Sequence, residues 1–201
     1  MTRIAVLVSG GGTNLQALLD AQRQGDLGSG KICLVVSSRP GVFALERAQN
    51  SGVEAIVTER KKYPTQQEYD AALLHELETR GIELVVLAGF LSILGSDLVR
   101  HYERRILNVH PSLIPSFCGQ GCYGLKVHQA ALSYGVKLTG ATVHFVSEVV
   151  DGGKILLQKA VEVRDSDTPE TLQQRVMEEA EWQILPRAVA MVCAEIDSKK
   201  E

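Results

Sequence analysis

The chain has 201 residues, 45% of them hydrophobic and 22% charged, with a net charge of −3. That length buries a substantial core in one large domain or two small ones, the composition is ordinary for a soluble globular protein, and the acidic balance argues against nucleic-acid binding. No apolar run approaches a membrane span, residues 1–8 read as a strand rather than a signal peptide, and Cys33, Cys118, Cys122 and Cys193 show no secreted-type framework, so the cytoplasm is the expected compartment.

The first element is an apolar strand over 3–8, broken by Ser9-Gly10-Gly11-Gly12-Thr13-Asn14 and followed by a helix with Leu15, Leu18 and Leu19 at helical spacing. The alternation continues with strand 31–37, helix 41–50, strand 54–58, helix 66–80 and strand 83–89. In the helix over 66–80, Tyr69, Leu73, Leu74 and Leu77 fall on one face. A helix near 96–102 leads to strand 105–109. This spacing predicts an α/β fold with a Rossmann-like, mostly parallel sheet. Beyond it come a Pro- and Gly-containing loop over 111–124, a short helix over 126–134, and strands near 138–147 and 154–163 that form an antiparallel C-terminal extension. Asp167-Thr168-Pro169-Glu170 is a helix start. The helix it opens runs to about 195, with a kink or break expected near Pro186, and 197–201 is a charged tail expected to fray. With no repeat or linker, 1–201 reads as a single domain with two functional halves, 1–110 and 111–201.

Three segments carry chemistry. Gly10-Gly11-Gly12-Thr13-Asn14 joins a buried strand to a helix, where glycine lets a ligand approach and the helix N-terminus offers free N–H groups to an anion. A dinucleotide fingerprint fails, because its third glycine falls on Leu15 and Ser37-Ser38-Arg39 offers no acid for a ribose. No Gly-Lys-Ser/Thr follows either, so a single phosphate monoester or a plain tight turn remains. In Asn108-Val109-His110-Pro111, Asn108 and His110 share one face of a strand that Pro111 ends. One side chain donates a fixed hydrogen bond and the other carries a proton near neutral pH, at a strand end where open α/β sheets bind ligands. A strand-capping His beside a turn-opening Asn explains the same residues. Val150-Asp151-Gly152-Gly153 reads either as a turn or as a carboxylate folded back to orient His110. Thr142 and His144 share a strand face, and His144 is expected to be structural. No nucleophile elbow is present, which suggests direct transfer with the substrate supplying the attacking group. Cys118, Cys122 and His128 offer a partial zinc set without a fourth ligand, so no metal is expected.

Four stretches together resemble the phosphoribosylglycinamide formyltransferases: Val6-Leu7-Val8-Ser9-Gly10-Gly11-Gly12-Thr13-Asn14-Leu15-Gln16-Ala17, Leu87-Ala88-Gly89-Phe90-Leu91, Leu107-Asn108-Val109-His110-Pro111-Ser112-Leu113-Ile114-Pro115, and 140–153. The resemblance spans essentially the whole chain. It implies the formyltransferase fold and transfer of a formyl group from 10-formyltetrahydrofolate to the amine of glycinamide ribonucleotide in purine biosynthesis. In that reading Gly11, Gly12, Thr13 and Asn14 hold the substrate phosphate. Asn108 and His110 bind the formyl oxygen, Asp151 assists His110, and Glu181 meets the substrate's amino end. Phe90, Leu91, Ser92, Ile93, Leu94, Asn108, Val143 and Val150 line the folate pocket. The implied partners are these small molecules, with no nucleic acid or membrane, and the implied assembly is a monomer or homodimer. The chain departs from the family pattern at Gln66 and Ser92, where basic residues are usual, and in a longer loop over 117–124. It also carries a one-residue insertion near Glu181, with Trp182 in place of His. Formyltetrahydrofolate deformylase, a hydrolase with the same catalytic trio, is the alternative, disfavoured because its extra N-terminal domain has no counterpart before the strand that begins at Arg3.

Overall fold

The computed structural model describes residues 1–200. Its centre is a seven-stranded sheet of β1 (Thr2–Val8), β2 (Gly30–Ser37), β3 (Glu54–Val57), β4 (Leu84–Leu87), β5 (Ile106–His110), β6 (Leu138–Phe145) and β7 (Ile155–Glu162), in the spatial order 3-2-1-4-5-6-7. The pairings from β3 to β5 are parallel, and β5–β6 and β6–β7 are antiparallel. The expected mostly parallel sheet with an antiparallel extension is thus present.

Strand alternation divides the core into two layers. Val6 and Val8 of β1, Val86 of β4 and Val109 of β5 face α1 (Thr13–Gln24), α2 (Phe43–Asn50), α6 (Pro169–Val176) and α7 (Trp182–Ser198). Ala5, Leu7, Val85, Leu87 and Ile106 face α3 (Gln66–Glu78) and α4 (Ser96–His101), where Tyr69, Leu73, Leu77 and Tyr102 are fully buried. α5 (Leu125–Tyr134) follows the long loop after β5 and buries Val127, His128 and Ala131. Because β1 and β4 are neighbours while their following helices lie on opposite layers, their carboxyl ends frame the crevice where doubly wound sheets hold ligands.

Two expectations about the C-terminus change. The helix from Pro169, capped by reciprocal Thr168–Thr171 bonds, is interrupted by a π-helical segment at Met177–Glu181, and Pro186 lies inside the continuous α7. The missing Pro186 N–H would have reached back to the Trp182 carbonyl, and α7 runs on through the proline without a break. The tail is also tied down through Lys200. Asp197 pairs with the Met1 amine at 3.2 Å and with Lys200 at 2.8 Å, and Lys200 also reaches Glu83 at 2.7 Å. Glu201 lies outside the described residues. Among the described residues no helix is long and apolar enough to cross a membrane.

Candidate active site

The glycine loop leaves β1 at the crevice. Gly12 caps α1 with φ +72°, and a Cβ there would lie 2.7 Å from the Ala44 Cβ, so glycine satisfies both the backbone angle and the packing. The first turn of α1 has no side-chain cap and no acidic residue, which leaves its N–H groups available to an anion. The loop carbonyls are drawn away from that space. Gly10 accepts from the Ala44 N–H at 3.2 Å, and Gly11 accepts from the Arg47 Nε at 2.9 Å. Arg47 therefore places a cation beside the loop. Sequence reasoning passed over it, although its place one turn into the following helix was a signal.

The side chains of Thr13 and Asn14 point to the π-helical segment. Thr13 Oγ1 donates to the Met177 sulfur at 3.6 Å, and Asn14 Nδ2 donates to Glu181 Oε2 at 2.6 Å. The main chain is thus the part of this loop free to meet an anion. Burial pushes the Glu181 carboxyl up to about 7, against the Asn14 hydrogen bond, which lowers it. Asn14 Oδ1 is buried without a partner. A carboxyl raised in the folded state contributes stability below the ordinary carboxylate range and loses it as pH rises through about 7. Glu181→Gln keeps the shape, removes the buried charge and supplies an N–H for Asn14 Oδ1. It should raise stability at pH 8 by about 2 kcal/mol, roughly 4–8 °C in Tm, with the gain fading toward pH 5. Thermal unfolding of both proteins at the two pH values checks this.

The second cluster forms where β5 pairs with β6. The register sets Asn108 opposite His144 and His110 opposite Thr142, placing four polar side chains on one face. His144 Nδ1 lies 2.9 Å from the Phe145 carbonyl, and its Nε2 lies 3.1 Å from Asn108 Nδ2. That bond fixes the Asn108 amide and leaves its second N–H for another acceptor. His110 Nε2–H donates to the Phe117 carbonyl at 2.9 Å, while its Nδ1 lies 3.6 Å from Asp151 Oδ2. An oxygen thus lies beside each ring nitrogen of His110, which fixes the orientation of the ring.

Asp151 reaches this cluster from the β6–β7 connection. It adopts φ +54°, and a Cβ on Gly153 would lie 1.7 Å from the Phe145 carbonyl oxygen, so the loop lies directly against β6. Asp151 Oδ1 lies 3.6 Å from His144 Nε2, and Oδ2 accepts from the Gly119 N–H at 2.8 Å. Burial pulls this carboxyl upward, but the interactions with His144, Gly119 and His110 outweigh it and hold it below its ordinary value. His144, expected to be structural, is therefore wired to both Asn108 and Asp151. The fully buried His128 is driven down to about 4 by burial and by the charge of His110.

The loop after β4 borders the same edge. Leu91 and Ile93 are exposed, Phe90, Ser92 and Leu94 half-buried, and Val150 is exposed on the β6–β7 connection. The Leu91 N–H donates to Ser9 Oγ at 2.8 Å, and Ser9 Oγ lies 2.6 Å from Ser38 Oγ, which ties this loop to the glycine loop. Gln66 braces it by donating to the Ile93 carbonyl at 3.0 Å, and accepts from Arg60 Nε at 3.1 Å. Val143 differs from its expected setting. It is fully buried in the core layer opposite Asn108 and His110, because it alternates with Thr142 and His144, so only its main chain borders their face. Among the described residues no group of three or more His, Cys, Asp or Glu side chains is placed to share a metal ion.

A doubly wound sheet with an uncapped helix at its switch point and an amide–imidazole–carboxylate cluster beside it places the chain among the α/β proteins whose ligand crevice lies at the carboxyl ends of the strands. The formyl transferase family matches residues 2–189, and the chain belongs to that family. It is 43% identical over 192 residues to the trifunctional purine biosynthetic protein adenosine-3 of Gallus gallus, covering 96% of this chain and 18% of that protein. It is 38% identical over 194 residues to the chloroplastic phosphoribosylglycinamide formyltransferase of Arabidopsis thaliana, covering 96% of this chain and 66% of that protein. This chain therefore spans less than a fifth of the first relative and about two thirds of the second. Among solved structures, glycinamide ribonucleotide transformylase 1 from Symbiobacterium toebii superposes with a TM-score of 0.91 at 42% identity, over 97% of this chain and 89% of that one.

Proposed function

We propose that the protein transfers the formyl group of 10-formyltetrahydrofolate to the amine of N1-(5-phospho-D-ribosyl)glycinamide, a step of purine biosynthesis. The observation that carries this reading is the join of Asn108, His144, Asp151 and His110 at the strand end beside an uncapped helix. The main chain of Gly11, Gly12, Thr13 and Asn14 takes the phosphate, flanked by Arg47. Glu181, anchored by Asn14, faces the amino end of the substrate. Phe90, Leu91, Ser92, Ile93, Leu94 and Val150 border the folate, with the main chain of Val143. The amine attacks the formyl carbon, and the oxyanion that develops is held by the free Asn108 N–H and by His110. A proton leaves the amine and one reaches the folate nitrogen, with the His110–Asp151 pair as carrier. The 1–110 half supplies the anion site and the 111–201 half the Asp151 loop, and both halves contribute to one core layer.

Purified protein incubated with 10-formyltetrahydrofolate, with and without the phosphoribosyl glycinamide, tests the reading. Tetrahydrofolate should form only when the amine acceptor is present. Equal release without it would replace transfer by hydrolysis.

A further inference from the structure

The loop after β5 carries two thiols with no part in the reaction proposed above. Cys118 and Cys122 are free and half-buried. The Cys122 N–H donates to the Gly119 carbonyl at 3.1 Å, and Gly119 and Gly121 have φ of +94° and +85°, so the chain reverses in a tight turn between the two cysteines. The same few residues touch the reacting groups through their main chain. The Phe117 carbonyl, immediately before Cys118, accepts from His110, and the Gly119 N–H, immediately after it, donates to Asp151. Reduced Cys118 is tethered only lightly, its Sγ donating to the Pro115 carbonyl at 3.3 Å.

We propose that Cys118 and Cys122 form a reversible disulfide across this turn, and that closing it lowers activity by withdrawing the Phe117 carbonyl from His110 and the Gly119 N–H from Asp151. The effect on activity rests on the formyl-transfer reading; formation of the bond does not. The oxidant is a small disulfide such as oxidised glutathione. The Cys122 thiolate attacks one glutathione sulfur, the glutathione S–S bond breaks, and one glutathione thiolate leaves. The Cys118 thiolate then attacks the Cys122 sulfur of the mixed disulfide and expels the second glutathione thiolate. Two electrons pass from the cysteines to the oxidant, and the two thiol protons go to the departing glutathiones. Burial, with the charges of Asp151 and Cys122, pushes the Cys118 thiol up, so Cys118 is assigned the second step rather than the first. There its attack is intramolecular, and the high effective concentration offsets a small thiolate fraction.

The test is incubation of the full chain with oxidised glutathione, alkylation of remaining thiols, peptide mass mapping, and formyl-transfer assays before and after dithiothreitol. The expected result is a Cys118–Cys122 cross-linked peptide, a fall in transfer rate of about tenfold or more, and recovery on reduction. The double variant C118S/C122S should keep its rate under the same treatment. Failure to cross-link overturns the proposal, and so does a cross-linked protein of undiminished rate. A reduced protein that transfers no formyl group counts instead against the functional reading, because the cross-link is read by mass.

Discussion

Asp151→Asn should lower kcat by about 10²–10⁴-fold while leaving the KM for the phosphorylated amine nearly unchanged. The substitution is close to isosteric, and its carbonyl oxygen can still accept from the Gly119 N–H that holds Asp151 at 2.8 Å. What it removes is the negative charge 3.6 Å from both His110 Nδ1 and His144 Nε2. His110 then loses the carboxylate beside it, while the uncapped start of α1, proposed above to hold the phosphate, is untouched. Steady-state kinetics with varied acceptor, together with calorimetric titration of the acceptor, separate the two effects. Weakened acceptor binding at an unchanged kcat would show that Asp151 shapes the pocket without serving the proton transfers. The carboxyl is held below its ordinary value, so its contribution to stability is present above that value and is lost as pH falls through the lowered one. Wild type and Asp151→Asn should therefore converge in Tm in strong acid.

Asn108→Ala should cost about 10²–10³-fold in kcat, again with acceptor binding retained. His144 Nδ1 lies 2.9 Å from the Phe145 carbonyl and its Nε2 3.1 Å from the Asn108 amide nitrogen, which fixes the orientation of that amide. One N–H is used by that bond, and the other is held without rotational search for the oxyanion that the proposed transfer would develop. A donor already oriented costs no reorganisation when charge appears, which is why it acts on kcat more than on KM. Kinetics of the variant within about twofold of wild type would remove Asn108 from that role.

Much of the fold was legible because its signals are local. The run over 3–8 is apolar at every position from Ile4 onward, as a strand covered on both faces must be, and Thr168-Pro169 announces a helix through capping chemistry alone. The same-face pairing of Asn108 with His110 follows from strand alternation and holds. What could not be read was whatever depends on distant chain segments meeting. Asp151 lies about forty positions beyond His110, and its approach depends on φ +54° at Asp151 and on the close passage of Gly153 against Phe145. His144 could be assigned to a face, but its partnership with Asn108 needed the β5–β6 register. The family resemblance sets Val143 at the folate, whereas the alternation that puts His144 on one face puts the Val143 side chain on the other. Residues 197–201 are polar enough to fray, and the pairing of Asp197 with Met1 and of Lys200 with Glu83 explains why 197–200 are docked.

The π-helical turn at Met177–Glu181 bears on how this chain tolerates a change of length. Each residue added to an α-helix swings everything after it by about 100°. An extra residue upstream of α7 would therefore have turned Leu185, Ala188, Val189 and Val192 out of the core. A single widened turn takes up the added residue locally, so α7 keeps its apolar stripe inward while Glu181 remains against Asn14. Removing one residue from 177–180 while keeping Glu181 would leave a regular helix of the same orientation. The one-residue insertion that the family resemblance implies near Glu181 would thus be taken up within one turn.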